Sequence, residues 1–451
     1  MDDYDVRRRI RRAIDPGPGF PGPMLWERTV SRLDEPPEAP RRPWQIAVLA
    51  AVAILAAASV GVLLVSRSAV DSGELPAVAR APLAHLPPPT STRPGTADYQ
   101  FVSATAGWLV EYDGGVAHVL RTADGGAHWT VAGDLTGVDA FATLRFFDDH
   151  QGLVIGPAVT ISTPGVRVYS TTDGGVHWHG EDAGADVGIV RSSWFASMAE
   201  GWLLTSATED GSMSVFHTTD GGRGWSLLSG PATEPLLTGL LGQKGRIQFA
   251  TSQDGWISTT RADPPVQVLL ATRDGGRTWR AVDLPPPPGL NMTGKVLTGD
   301  LPMLSGQDGL LTAGLSSPRP RPSSLPANAA VGMPVEAVYL YQTHDGGRTW
   351  SFLRRLDQFG IGFEDATHWY RVGVTGVALS DDAGRTWGPV RPVPQPRGWY
   401  PQRTIFMGSN GWTVLQRPLA TPNVPNAGMR YAVLRTTDGG AHWTEGELPP
   451  P

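Results

Sequence analysis

One short turn, written seven times along the 451 residues, constrains this chain more than any other feature. Each copy has a Ser or Thr, an Asp two residues on, then Gly, and a Trp to close. The copies begin at Thr122, Thr171, Thr218, Thr272, Thr343, Ser380 and Thr436. Their aspartates are Asp124, Asp173, Asp220, Asp274, Asp345, Asp382 and Asp438. Their tryptophans are Trp129, Trp178, Trp225, Trp279, Trp350, Trp387 and Trp443. Self-similarity at a period near fifty residues is the mark of a repeat array or a propeller.

The chemistry of the turn points to a structural role. Asp-Gly-Gly between apolar runs is a hairpin signal, because glycine reaches the positive φ that a tight turn demands. The Asp carboxylate can accept backbone N–H groups of its own loop, and the Ser/Thr hydroxyl can tie the loop down. The Trp supplies a broad apolar face beneath it. Calcium loops need several carboxylates at regular spacing; each turn here offers essentially one. His177 and His179 share a strand face without an evident third ligand, so no metal is expected.

A second pattern precedes each turn. Phe101 leads to Gly107-Trp108, Phe146 to Gly152-Leu153, Phe195 to Gly201-Trp202, and Phe249 to Gly255-Trp256. Met303 leads to Gly309-Leu310 and Ile405 to Gly411-Trp412, while the sixth unit is degenerate, with Phe363 and His368-Trp369. Each unit reads as four short strands. The expected fold is all-β, a single seven-bladed β-propeller with four-stranded blades. The aspartates are 49, 47, 54, 71, 37 and 56 residues apart. The longest interval holds the proline-rich stretch 316–326, read as a loop projecting from blade five. The stretch 88–97 is one candidate for bracing the ring.

These turns resemble the Asp-box, the bacterial neuraminidase repeat, over roughly residues 98 to 446. The departures are His128, His177, His442 and Gly224 before the Trp in place of Thr, and Ala383 in place of Gly. In that family the box joins the third and fourth strands of a blade, away from the ligand face. In repeat style the chain is most similar to the photosystem II stability and assembly factor-like propellers, more distantly to sialidases and xyloglucan-degrading propeller enzymes. The resemblance implies the fold and a non-catalytic binding role. Sialidases carry an early Arg-Ile-Pro motif, an arginine triad and a Tyr–Glu pair; Arg246-Ile-Gln is the nearest string here, in the fourth blade.

Residues 46–65 contain no charge, and about twenty apolar residues match a hydrocarbon core of about 30 Å. Nine arginines precede the run (Arg7, Arg8, Arg9, Arg11, Arg12, Arg28, Arg32, Arg41 and Arg42), whereas Arg67, Asp71 and Glu74 follow it. The positive-inside rule then sets the N-terminus in the cytoplasm and the propeller outside. The expected organisation is a mostly disordered Arg-rich tail (1–43), a transmembrane helix (44–66) in contact with the lipid bilayer through 46–65, a Pro/Ala-rich stalk (67–97) and the propeller (98–451).

Formal charge is −6, from 43 acidic and 37 basic residues, and the part outside the tail is more acidic still. A nucleic-acid partner calls for a basic groove, so none is expected. With no cysteine, stability must come from blade packing. Arg145, Arg191, Arg246 and Arg403 are read as lying just before inner strands and are the candidate binding residues, on the face opposite the turns. No catalytic set or cofactor is evident. The expected function is a membrane-anchored, extracytoplasmic scaffold for a protein or glycan ligand. The alternative is a glycoside hydrolase of sialidase-like type, which would need three of these arginines to converge.

Overall fold

Seven antiparallel sheets follow one another along the chain and close into a ring, a seven-bladed β-propeller. The computed structural model describes residues 89–450 apart from 95, 114–115, 139–141, 158–164, 184–186, 207–211, 262–265, 318–334, 357–360, 365–366, 374–375 and 419–428. The expected tail, residues 46–65 and most of the stalk lie outside the described residues. Among the described residues no helix is long and apolar enough to cross a membrane.

Blade one sets the plan, with strands Thr96–Phe101, Gly107–Asp113, Val116–Thr122 and Thr130–Thr136 pairing in that order. Antiparallel order puts the turns between strands one and two, and between strands three and four, on one end of the blade. The repeated turns are the second of these, so all seven lie on one face. A backbone bond fixes each to the neighbouring one–two turn: Gly125 N–H donates to the Thr105 carbonyl (2.8 Å), Gly174 to His150 (2.7 Å) and Gly275 to Gln253 (2.9 Å). Connections two–three and four–one emerge on the opposite face. Each two–three connection includes residues outside those described, and the proline-rich stretch of blade five falls mostly there.

Two sequence patterns meet at the joints before blades one, two and four. The aromatic residue ending strand one lies across the glycine that opens strand two: a Cβ on Gly107, Gly255 or Gly411 would sit 2.5 Å from the ring of Phe101, Phe249 or Phe406. That phenyl ring is stacked from the preceding blade and met edge-on by the Trp of its own turn. Trp108 stacks on Phe146 (3.7 Å between centroids), Trp202 on Phe249 (3.9 Å) and Trp412 on Phe101 (3.9 Å). Trp178, Trp279 and Trp129 are the edge-on partners. The stacking indole also reaches the next turn: Trp108 Nε1 donates to Gly174 O (3.0 Å), Trp202 to Gly275 O (3.1 Å) and Trp412 to Gly125 O (2.8 Å). Each aromatic pair adds about 0.5–1.5 kcal/mol beyond the area it buries.

The register corrects the sequence alignment by one residue in three blades. Opposite Gly309 stands Leu304, not Met303, and opposite Gly411 stands Phe406, not Ile405. In blade six Trp369 itself stands opposite Phe363, in the glycine's place, so Tyr370 takes the place of the stacking Trp. Blade six has three strands, Ile361–Phe363, Trp369–Gly373 and Gly376–Ser380; a single bridge, Val377 to Arg391, marks its fourth place. Pro389 and Pro392 on either side of that bridge lack the N–H a ladder needs.

Ring closure uses both flanks of the repeat array. Arg93–Pro94 pairs antiparallel with the third strand of blade seven, Met429–Thr436, which Thr444–Glu445 also joins. The ring therefore takes in part of the segment assigned to the stalk. Arg93 is buried, its Nε donating to both Glu111 carboxylate oxygens (2.8 Å each), and its Nη1 reaches the Pro449 carbonyl (2.9 Å). The Tyr431 hydroxyl donates to the same carboxylate. This latch joins the strap, blade one and blade seven. Removing one partner of a buried pair leaves a charge uncompensated, so Glu111→Gln or Arg93→Met should each cost about 3–5 kcal/mol in denaturant unfolding. The double variant Arg93→Met/Glu111→Met should cost less than the sum of its parts.

Candidate functional site

The seven turns share one hydrogen-bond scheme. The Thr or Ser hydroxyl donates to Asp Oδ1, at 2.7 to 2.9 Å in every copy, and accepts the N–H of the second glycine. Asp Oδ1 also accepts the backbone N–H four residues on, as from Thr278 (2.9 Å) or His128 (3.0 Å). Asp Oδ2 takes the side chain there, from the Thr278, Thr349 and Thr386 hydroxyls at 2.6 Å. Where His replaces Thr, its Nδ1 does the same work: His128 to Asp124 at 2.6 Å, His177 to Asp173 at 2.7 Å, His442 to Asp438 at 2.6 Å. Gly224 has no side chain to offer. Outside the third turn, both oxygens of each carboxylate are thus spent within their own loop.

All seven aspartates are held below the usual carboxylate range. For Asp124, burial pushes the other way but is outweighed by the backbone N–H and ring of His128 and the Thr122 hydroxyl, leaving it at about 2. Asp382 is brought to about 2 by the Thr386 hydroxyl and backbone N–H. His128 is raised, first by its bond to Asp124.

Each candidate arginine is engaged in a different place. Arg246 pairs with Asp300 of blade five. Arg403 donates to Asp98 of blade one at 3.0 Å. Arg191 Nε donates to Ser206 of its own blade at 2.8 Å. Arg145 is buried, its guanidinium over the rings of Phe147 (5.4 Å) and of Trp194 in blade three (4.8 Å). Burial brings it down to about 10, still charged at neutral pH. Arg191, Arg246 and Arg403 lie three or four residues before the end of strand one, toward the face opposite the turns; Arg145 lies one residue before it. Arg145, Arg246 and Arg403 belong to an inner hoop of interblade links, whereas Arg191 bonds within its own blade. Gln100 exchanges two bonds with the Phe146 backbone, Ser192 accepts Ile247 N–H, and Gln248 donates to Pro302 O.

The largest departure from this regularity forms a cleft. Between blades six and seven, on the face of the repeated turns, lies an opening of about 310 Å³ lined by Glu364, His368, Tyr370, Asp381, Arg391, Phe406, Ser409 and Gly439 among others. Its origin is local. The ring of Tyr370 folds over Gly362, where a Cβ would overlap it, and meets Phe406 only at 5.5 Å and 51°. Trp369, facing the other way, fills the joint with blade five, beside Leu310, Leu340 and Phe363. Arg391 takes over the polar part of the lock, donating to the carbonyls of Asp438 (2.7 Å) and Gly439 (3.0 Å). The Glu364 carboxylate accepts Gly408 N–H across the joint. None of these was singled out as a binding residue from sequence; the lost Gly-Trp of the sixth unit was the available signal. Among the described residues, Asp148, Asp149 and His150 lie close enough together to face one ion, on an exposed turn of blade two.

No known family profile matches the sequence, and no curated protein matches it. Solved structures match in architecture. One is the GH74 xyloglucanase from Xanthomonas campestris (TM-score 0.36, 15% identity, covering 77% of this chain); the chain spans 60% of that enzyme's length. A PL25 ulvan lyase gives TM-score 0.38 at 11% identity over 68% of this chain and 84% of its own. The α-L-arabinanase of Penicillium chrysogenum gives 0.30 at 11% identity, covering 73% and 88%. At these identities the likeness is one of fold alone.

Carboxylates depressed in the fold stabilise it fully above the unfolded value near 4 and lose that contribution as pH falls through the folded values. The melting temperature should therefore drop as pH is lowered from about 4 toward about 2, read by circular dichroism. His128 has the opposite sign: its contribution is present below about 6.5 and fades as pH rises past its raised value, so His128→Thr should flatten the melting profile above about pH 6.5. Ala383 holds the turn at φ +59° in place of glycine. Ala383→Gly should raise stability by about 1 kcal/mol in the same measurement.

Proposed function

We propose that this chain is a non-catalytic binding propeller of the Asp-box type, held outside the cytoplasmic membrane by residues 46–65, which takes its ligand at the joint between blades six and seven. The cleft there carries the reading. Leucines replace the stacking indole at the joints after blades two and five, beside Phe195 and Phe363; here a tilted tyrosine does so and a cleft opens, its walls mixing carboxylates, an arginine and aromatic edges, the usual makings of a binding pocket. The ligand site therefore lies on the face of the turns, not on the opposite face expected from the sequence. The candidate arginines support the same reading, since each is held by its own partner in a separate joint or blade. A propeller by itself grants no function, so the site must carry the argument.

The discriminating experiment compares the full chain with Ser409→Trp, which sets a large ring on the exposed cleft wall. After crosslinking in membranes, a partner retained by the wild type should be lost from the variant while the melting temperature stays unchanged. Steady turnover of a fluorogenic sialoside by the wild type, abolished by Arg246→Ala in a folded protein, would overturn the non-catalytic reading.

A further inference from the structure

The propeller displays its own template for the space that is open between blades six and seven. At three sister joints an indole occupies it, flat on the next blade's phenyl ring with its N–H on the first glycine carbonyl of the next turn. At the sixth joint the phenyl ring is Phe406, the glycine is Gly439, and both line the cleft. The edge-on Trp of the turn is also kept, Trp443 lying 6.1 Å from Phe406. What is missing is the stacked ring. Gly439 O accepts one bond, from Arg391, and a carbonyl has two lone pairs.

The rim adds a charge preference. Asp381, exposed on the cleft wall, follows the first residue of the sixth turn. In the other six turns that position holds Ala123, Thr172, Thr219, Arg273, His344 and Thr437, none of them acidic. Glu364 adds a second carboxylate to the same wall. A neighbouring positive charge on the incoming chain would meet both.

We infer that this cleft receives a tryptophan side chain of a partner peptide, with a basic residue beside it. The indole takes the position that Trp108, Trp202 and Trp412 take at their own joints, and the lysine or arginine faces Asp381. This rests on the reading of the cleft as a binding site. A partner bound this way completes the joint that the chain leaves unfinished, so binding and joint stability are linked.

The test uses the full chain in detergent micelles and an acetylated 5-fluorotryptophan–lysine amide, followed by fluorine NMR line broadening. Gly362→Ala drives the Tyr370 ring off its seat, since a Cβ there overlaps it. This variant should bind the dipeptide at least about tenfold more weakly while still melting cooperatively, as the loss of one buried stacked ring implies. Asp381→Lys, on the exposed rim, should weaken the dipeptide about threefold or more and leave the neutral N-acetyl-5-fluorotryptophan amide unchanged. Failure of the wild type to broaden the dipeptide signal, or equal binding by wild type and both variants, overturns the assignment. If Gly362→Ala does not fold, Asp381→Lys decides alone: a loss confined to the charged probe supports the site, and an equal response of both probes sinks it. A partner lost on Ser409→Trp while the dipeptide fails to bind refutes the tryptophan assignment and leaves the binding role standing.

Discussion

Three of the seven joints rest on one repeated interaction: a phenyl group at the end of an inner strand, clamped between an indole from the blade before it and the indole of its own turn. A propeller has no core at its centre; its hydrophobic surface is divided among the joints. Burial alone is non-directional, so something must fix how far one blade advances and turns against the next. The stack does this because its geometry is specific. The indole N–H that lands on a glycine carbonyl then ties packing to the turn. At Gly107, Gly152, Gly201, Gly255 and Gly411 the phenyl ring lies where a Cβ would be, so glycine is required there.

The same logic says which parts of the molecule were legible in the sequence. Turn chemistry is local, and Asp274 with Thr272 and Thr278 can be read from eight consecutive letters. Strand number and blade number follow from the spacing of such turns. Partners across a joint are far apart in the chain, and the pairings Gln100–Phe146, Arg246–Asp300 and Arg403–Asp98 carry no periodic signal. The latch is harder still, because Arg93, Glu111 and Tyr431 come from the strap and from the two blades that meet at closure. Arginines near inner strand ends looked like a ligand surface for the same reason that they serve as links: both roles ask for a long charged side chain near the axis.

The error of one residue in aligning blade six shows why register matters more than motif. Successive side chains on a strand face opposite sides, so a shift of one sends every residue to the other neighbour. Trp369 looked like the stacking Trp of its unit. One place earlier on the strand, it faces blade five, where Leu310 is too small to fill the joint, and packs there instead. The sixth blade thus completes the joint behind it and leaves the one ahead of it short. Tyr370 cannot make up the difference, because glycine at 362 lets its ring lie inward.

A closed ring tolerates such a gap only if its other joints hold. Here the joint between blades seven and one is tied by several contacts: stacked Trp412 and Phe101, the Arg403–Asp98 pair, the Tyr99 hydroxyl on the Arg403 carbonyl, and the buried Arg93–Glu111–Tyr431 latch. With no cysteine in the chain, this closure is wholly non-covalent. The joint with the cleft therefore sits directly beside the closure. That placement sets the cleft of blade six against a blade seven held from its other side by the closure contacts.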